Sequence, residues 1–202
     1  MRSAVLVAAV GVAYAAGCSS APQSGPSAQE PVVQRAAATA EAPAGEGAAP
    51  SLSDAEIAAI VVTANTIDAE LGELADRRGT SGSVREFGRT MARDHRAVNA
   101  SAVALVTKLG VTPAENDVSR QLRADADTFR AQLEKLTGAA FDSSYIEHEV
   151  SYHRAVVDAV DRLLIPSATS EELRKTLTDV RPALLAHLQH AEHLQSSLEQ
   201  AR

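Results

Sequence analysis

Residues 53–79 read SDAEIAAIVVTANTIDAELGELADRRG, and this stretch decides the fold class. Its apolar side chains recur every three or four residues, so they form one stripe along a helix. Ser53 and Glu56 have the spacing of a capping box, which predicts the start of the helix. Two arginines followed by Gly79 predict its end. The stripe consists of Ile57, Ile60, Ala64, Ile67, Leu71 and Leu74.

The rest of the chain predicts three more long helices of the same kind. One runs from a capping box at Ser83 to Gly110, one from an N-cap at Asp142 to Pro166, and one from a capping box at Thr169 to the C-terminus. Each carries a single apolar stripe, which four helices bury most simply by packing into a bundle.

The connection between the second and third long helices is about thirty residues long. It contains a shorter helical pattern at about 118–136. A long crossover at this place is typical of ferritin-like proteins. We therefore predict an all-α, ferritin-like four-helix bundle over residues 52–200.

Composition agrees with a helical core and narrows the range of partners. Of the 202 residues, only 3% are aromatic and none is tryptophan, so the core must consist of Ala, Val, Leu and Ile. The formal net charge of −7 argues against a nucleic-acid partner, because phosphate binding needs a positive surface.

The first fifty residues indicate export. Residues 4–16 are apolar but at ~1.5 Å per residue are too short for a ~30 Å hydrocarbon core, so residues 1–17 are predicted to be a signal peptide. Cys18, the only cysteine, follows small residues as in a lipobox and is predicted to carry lipid. The Pro/Ala-rich residues 18–51 form a tether. The expected location is the periplasmic face of the cell envelope, at the outer membrane in a Gram-negative cell; an ordinary cleaved signal is the alternative.

Three histidines occupy stripe positions where apolar residues are expected. His95, His153 and His187 lie near the middle of three different helices, so their rings are expected to meet at one level. Imidazole is a common ligand of Zn, Cu, Fe and Ni. The pattern predicts one transition-metal ion bound by these histidines, with a carboxylate from Glu70 or Glu149.

Other polar residues near the seam are expected to play lesser roles. Asp94, Tyr145 and Tyr152 are expected to support the ligands through hydrogen bonds. The remaining histidines, His148 and two in the last helix, fall off the stripes and are predicted to face solvent.

Two alternatives to a metal-binding structural module stay open. The first is a periplasmic enzyme of metal-dependent redox or peroxide chemistry, which needs an open coordination position. The second is a metal-free structural or partner-binding bundle in which the histidines form a buried polar network. A non-enzymatic role is favoured, because the sequence shows neither an open coordination position nor an access path. No motif of a nucleophile or a nucleotide site is present in the sequence either.

The motifs of the folded part resemble the bacterial domain-of-unknown-function 4142 family. They are Ala69-Glu70-Leu71-Gly72-Glu73-Leu74-Ala75, Val84…Phe87…Met91…Asp94-His95…Asn99, Gly138-x-x-Phe141-Asp142-x-x-Tyr145-Ile146…Val150-x-x-His153 and His187-Leu188. The resemblance covers about residues 52–198. It implies a ferritin-like fold, export behind a lipoprotein signal, and recurrent polar positions at Glu70, Asp94, His95, His153 and His187; it implies no established activity.

Di-iron bundles carry Glu-x-x-His on two helices. Here the residue three positions before His95 is Ala92, and the residue three positions before His153 is Val150, so neither helix carries the motif. A histidine-rich mononuclear site is therefore favoured over a di-iron centre.

Overall fold

The structure, a computed structural model, describes residues 51–201, and its regular elements are all helical. The predicted all-α class is confirmed. The signal peptide predicted at 1–17, Cys18 and almost all of the tether predicted at 18–51 lie outside the described residues. The α-helices are α1 (Asp54–Arg78), α2 (Gly82–Lys108), α3 (Asp117–Leu133), α4 (Gly138–Ala159) and α5 (Glu171–Gln200).

Hydrogen bonds between helix ends fix the direction of each helix in the bundle. Asp54, the first residue of α1, accepts from the backbone N–H groups of Thr169 and Ser170, so α1 and α5 begin at the same end. Asp142 in α4 accepts from the backbone N–H groups of Thr80 and Ser81, so α2 and α4 begin at the opposite end. The order is therefore up-down-down-up, with α3 in the crossover, which is the predicted ferritin-like topology.

The helix-end interactions correct two sequence-based assignments. Ser83 forms no capping box, because α2 begins at Gly82 and its N-cap Ser81 makes no side-chain cap hydrogen bond. Asp142 is not the N-cap of α4, which begins four residues earlier after Thr137. Asp142 instead accepts the free N–H groups before α2, a capping role that local sequence cannot reveal because donor and acceptor are about sixty residues apart.

The N-cap of α5 also differs from the residue that the sequence predicted. Its N-cap is Ser170, whose side chain accepts from the N–H of Leu173, so the capping box predicted at Thr169 is wrong. The hydroxyl and backbone N–H of Thr169 both donate to Asp54. The first turn of α1 thus tethers the connection that leads into α5.

The helices α1 and α2 approach closely at a pair of glycines. A Cβ atom placed on Gly72 would lie 2.6 Å from the carbonyl oxygen of Gly88, and one on Gly88 would lie 2.6 Å from that of Gly72. Only glycine fits at both positions without moving the backbones. The tight crossing aligns α1 and α2 for the polar contacts that lie deeper in the bundle.

The end of α4 contains an irregularity that the sequence analysis did not predict. After Ala159 the helix widens into a π-helical turn, Val160–Leu164, and then ends in a short helical turn, Ile165–Ser167. Pro166 has no N–H to donate to the preceding turn, which is a reason for the hydrogen-bond pattern to shift there. Within residues 51–201, no helix is both long enough and apolar enough to cross a membrane.

Candidate functional site

Three imidazoles from three helices meet in the middle of the bundle. Their ring centroids lie 5.6 Å apart for His95 and His153, 5.2 Å for His95 and His187, and 5.5 Å for His153 and His187. One ligand atom from each ring lies within 4.8 Å of the others. His95 and His153 are buried and the side chain of His187 is 12% exposed. The rings thus form a compact triangle shielded from water.

The protonation of His95 is fixed by an asparagine on α1. The side-chain nitrogen of Asn65 donates to the carbonyl oxygen of Val61 at 2.8 Å, which orients the amide so that its oxygen faces His95. Nδ1 of His95 lies 2.8 Å from that oxygen, and because the oxygen can only accept, Nδ1 must carry the proton. In the neutral ring, Nε2 is therefore left with a free lone pair.

The other two histidines are oriented by the same principle. Nδ1 of His153 lies 3.1 Å from the backbone carbonyl oxygen of Glu149, and Nε2 of His187 lies 3.2 Å from a carboxylate oxygen of Asp94. Each of these nitrogens donates, since each partner accepts. The remaining nitrogens, Nε2 of His153 and Nδ1 of His187, are buried without a hydrogen-bond partner, as is Nε2 of His95. Outer acceptors that fix the tautomer are characteristic of metal-binding histidines.

A buried carboxylate that the sequence analysis missed lies beside these lone pairs. One oxygen of Asp68 is 3.2 Å from Nε2 of His95 and 3.7 Å from Nε2 of His153. Neither carboxylate oxygen has a hydrogen-bond partner, and the residue is 2% exposed. Asp68 is four residues after Ala64 and three before Leu71, so its place on the stripe was the signal that could have identified it.

Glu149 extends the polar cluster deeper into the core. Its carboxylate lies 3.4 Å from Nδ1 of His153 and close to both Asp68 and Tyr145. These three groups are near enough to alter one another's pKa, yet their polar atoms do not meet hydrogen-bond geometry. Asp68, Glu149 and His153 form a second group of ligand atoms within 4.8 Å of one another.

Burial favours the uncharged forms of two imidazoles and two carboxyl groups in the cluster. It lowers the pKa of His95 to about 3, with the neighbouring imidazoles adding to the effect, and it also lowers the pKa of His187. Burial raises the pKa of Glu149 to about 8 and raises the pKa of Asp68 well above its usual range, which the nearby Glu149 reinforces. The rings of His95 and His187 are therefore neutral at pH 7, as metal ligands must be.

The predicted ligand Glu70 does not join the cluster. Its carboxylate is 40% exposed and accepts from Arg123 and Arg130 of α3, both at 2.9 Å. The two arginines attract Glu70 to the outer side of α1, where it ties the crossover to the bundle. Because α1 contacts α2, α3 and α4, residues on most of its faces are buried, and the apolar stripe alone did not define which face meets the histidines.

The supporting residues lie close to where they were expected. Asp94 hydrogen-bonds His187, and Tyr145 lies beside Glu149. Tyr152 packs its ring near His153, with a centroid distance of 6.1 Å, but its hydroxyl donates to the carbonyl oxygen of Ala64 instead of to the cluster.

One of the histidines predicted to face solvent is partly buried instead. His148 stacks on Phe129 of α3, with ring centroids 3.9 Å apart and planes 13° from parallel, and its Nε2 has no hydrogen-bond partner. The crossover helix covers this side of α4, which the sequence pattern of α4 did not indicate. His190 and His193 are exposed, as predicted.

The three imidazoles and the neighbouring Asp68 offer the donor types of a transition-metal site. Four ligands at ~2.0–2.1 Å from zinc lie ~3.3 Å from one another, and the contact of Asp68 with His95 already has about that length. Three imidazole nitrogens and one carboxylate oxygen match the preferences of Zn, Cu, Fe and Ni. No Glu-x-x-His motif contributes, which separates this set from a carboxylate-rich di-iron centre.

Comparison with known sequences gives one match. The family described as Domain of unknown function (DUF4142) matches residues 36–194, a span that includes the three histidines, Asp68 and Glu149. No match is found among curated proteins or among solved structures. The match covers far more than half of the chain and confirms the resemblance seen in its motifs. The chain therefore belongs to the DUF4142 family.

Proposed function

We propose that this chain is a cell-envelope protein whose helical bundle holds one transition-metal ion through His95, His153, His187 and Asp68. One observation carries the proposal. The three inner imidazole nitrogens and both oxygens of Asp68 are buried without hydrogen-bond donors, and Asp68 lies beside the inner nitrogens of His95 and His153. The other nitrogen of each ring donates to a fixed acceptor. The lone pairs of the inner nitrogens are therefore free to bind a cation at the centre.

A metal-free polar network satisfies these groups less well. If Asp68 is protonated, its single O–H can donate to one imidazole, which leaves two inner nitrogens without a donor. Each unsatisfied buried polar group costs about 1–3 kcal/mol. Protonating a ring is also unfavourable, because burial lowers the pKa values of His95 and His187. A bound cation satisfies all four ligands together.

The proposal is tested by metal analysis of the mature, full-length chain exported in its own cell type. We expect close to one zinc, copper, iron or nickel ion per chain. His95→Ala and Asp68→Ala should each lose the metal. The matched control for His95→Ala is His193→Ala, which removes the same side chain at an exposed position, and Glu70→Ala removes a carboxylate of α1 outside the cluster; both should retain the metal. Circular dichroism establishes that each variant is folded.

Cobalt substitution provides a second readout of the ligand set. We expect Co²⁺ in the emptied site to give the intense visible absorption of a four-coordinate ion, and His187→Ala to weaken it. A chain that contains no metal and whose thermal stability is unchanged by zinc, copper and iron would overturn the proposal. In that case the buried histidines form a structural network, and His153→Leu should keep or raise the stability.

The location of the module is proposed from the sequence of the first fifty residues. A lipid on Cys18 would anchor the chain, and the following Pro/Ala-rich residues would hold the bundle away from the membrane. Metabolic labelling with a fatty acid should label the native chain but not Cys18→Ser. Export without any labelled lipid would indicate an ordinary cleaved signal, with the metal-binding proposal unaffected.

A further inference from the structure

A long cavity leads away from the histidine cluster between the helices. At one end it is lined by Asn65, Asp68, Tyr152 and the three cluster histidines, and from there it is lined almost wholly by Ala, Val, Leu and Ile side chains. Thr176, near the other end, is an exception, but its hydroxyl donates to its own helix at the carbonyl of Glu172. The cavity is therefore polar at one end and apolar along the rest of its length.

The dimensions of the cavity suit a single linear chain. Its lining extends from Asp68 to Ala58 on α1, which is ~15 Å at ~1.5 Å per residue, and from His187 to Leu173 on α5, which is ~21 Å. The cavity has a volume of ≈ 80 Å³. Since one water molecule needs ~10–15 Å³ of volume measured in this way, the cavity has room for about six water molecules. A narrow apolar tube of this kind fits an alkyl chain better than a ring system.

The backbone is irregular where it borders the cavity. Val160 and Leu164, the two ends of the π-helical turn, both line it, and so do Ala183 and Leu184, which follow Pro182 inside α5. Turns of π-helix are frequent at functional sites, and a proline inside a helix leaves one carbonyl without its usual donor. The π-helical turn that follows α4 and the turn after the proline of α5 therefore both border the cavity.

Apolar lining residues of α2 and α5 remain accessible to water. The lining residues Val98 and Leu105 of α2 and Val180 of α5 are half-buried, and Ala183 is exposed. These apolar side chains remain in contact with water because few residues of α2 and α5 touch one another, compared with the closely packed pair α1 and α2. A slender apolar molecule can enter there without crossing a polar surface.

The charge of the metal-loaded cluster indicates the head group of the molecule. A divalent ion and its four ligands, namely three neutral imidazoles and the carboxylate of Asp68, together have a net charge of +1. An uncompensated charge at a buried site is unfavourable. A carboxylate that approaches from the cavity would neutralise it and supply a further oxygen ligand. A neutral alkane offers neither effect.

We propose that the cavity binds a linear fatty carboxylate, with the alkyl chain along the apolar walls and the carboxylate at the metal held by His95, His153, His187 and Asp68. This inference rests on the proposed metal site. It deepens that function by naming the class of ligand that the metal centre would hold.

Titration of the cobalt-loaded, full-length chain with dodecanoate tests the inference. We expect saturable binding that changes the visible absorption of the cobalt ion. Dodecanol, which has the same chain without the anionic head, should leave the absorption unchanged at the same concentrations. Ala102→Phe, which fills the cavity from its α2 wall, should weaken dodecanoate binding at least tenfold while the cobalt stoichiometry is kept. Ala104→Phe is the matched control, because it places the same ring on the exposed face of α2.

Each outcome has a distinct meaning. Loss of binding in Ala102→Phe together with native binding in Ala104→Phe supports the inference. Cobalt held in full without any spectral response to dodecanoate overturns the inference and leaves the metal site standing. Equal binding to Ala102→Phe and the native chain places dodecanoate outside the cavity and also overturns it. A chain that holds neither cobalt nor zinc, copper, iron or nickel refutes the proposed function, and the inference with it.

Discussion

Replacing Glu149 with glutamine should change how the stability of the metal-free chain depends on pH. Burial raises the pKa of Glu149 from about 4.5 to about 8 on folding. Between these values the folded chain retains a proton that the unfolded chain has released, so stability falls as pH rises through this window. At about 1.4 kcal/mol per pH unit, the loss from this one carboxyl is on the order of 4 kcal/mol between pH 5 and pH 8.

Glutamine resembles the protonated carboxyl in shape but does not titrate. The slope of unfolding free energy against pH should therefore be about 1.4 kcal/mol per unit less steep in Glu149→Gln, and the part that remains should reflect Asp68, whose pKa is also raised. The assay is urea unfolding in the presence of a chelator at several values from pH 5 to pH 8. Glu147→Gln, on the exposed side of α4, is the matched control and should follow the native chain. Parallel curves for the native chain and Glu149→Gln would refute the reasoning.

Three further substitutions test the fold by urea unfolding. Asp142→Ala removes the acceptor of two backbone N–H groups before α2 and should cost about 1–2 kcal/mol, comparable to loss of a helix cap; an unchanged midpoint would show that water replaces the carboxylate. Gly72→Ala places a Cβ against the backbone at Gly88 and should cost about 1–3 kcal/mol, so a stabilised variant would contradict the close crossing. His148→Phe keeps the stack on Phe129, removes an unsatisfied nitrogen and should raise stability by up to about 1 kcal/mol, whereas a large loss would reveal a partner for that nitrogen.

Periodicity was sufficient to predict the histidine cluster because three separate helices each interrupt an apolar stripe with an imidazole at a similar depth. A residue on a buried stripe must face the core, whatever the details of packing. The same reasoning failed for the carboxylates. Asp68 lies on the stripe of α1 next to Ile67, whereas Glu70 lies off it; arginines from α3 bind Glu70 at the outer side, and no local pattern contains that contact.

The sequence by itself determined the helical class, the long crossover and the three imidazoles, because these depend on side-chain spacing within one helix and on the length of one connection. The tertiary structure alone decided which carboxylate meets the imidazoles, which acceptor orients each ring, where the cavity runs, and that Asp142 serves the start of α2 rather than α4. These features depend on the rotation and spacing of helices relative to one another. That arrangement is set by packing between residues far apart in the chain, such as Gly72 against Gly88.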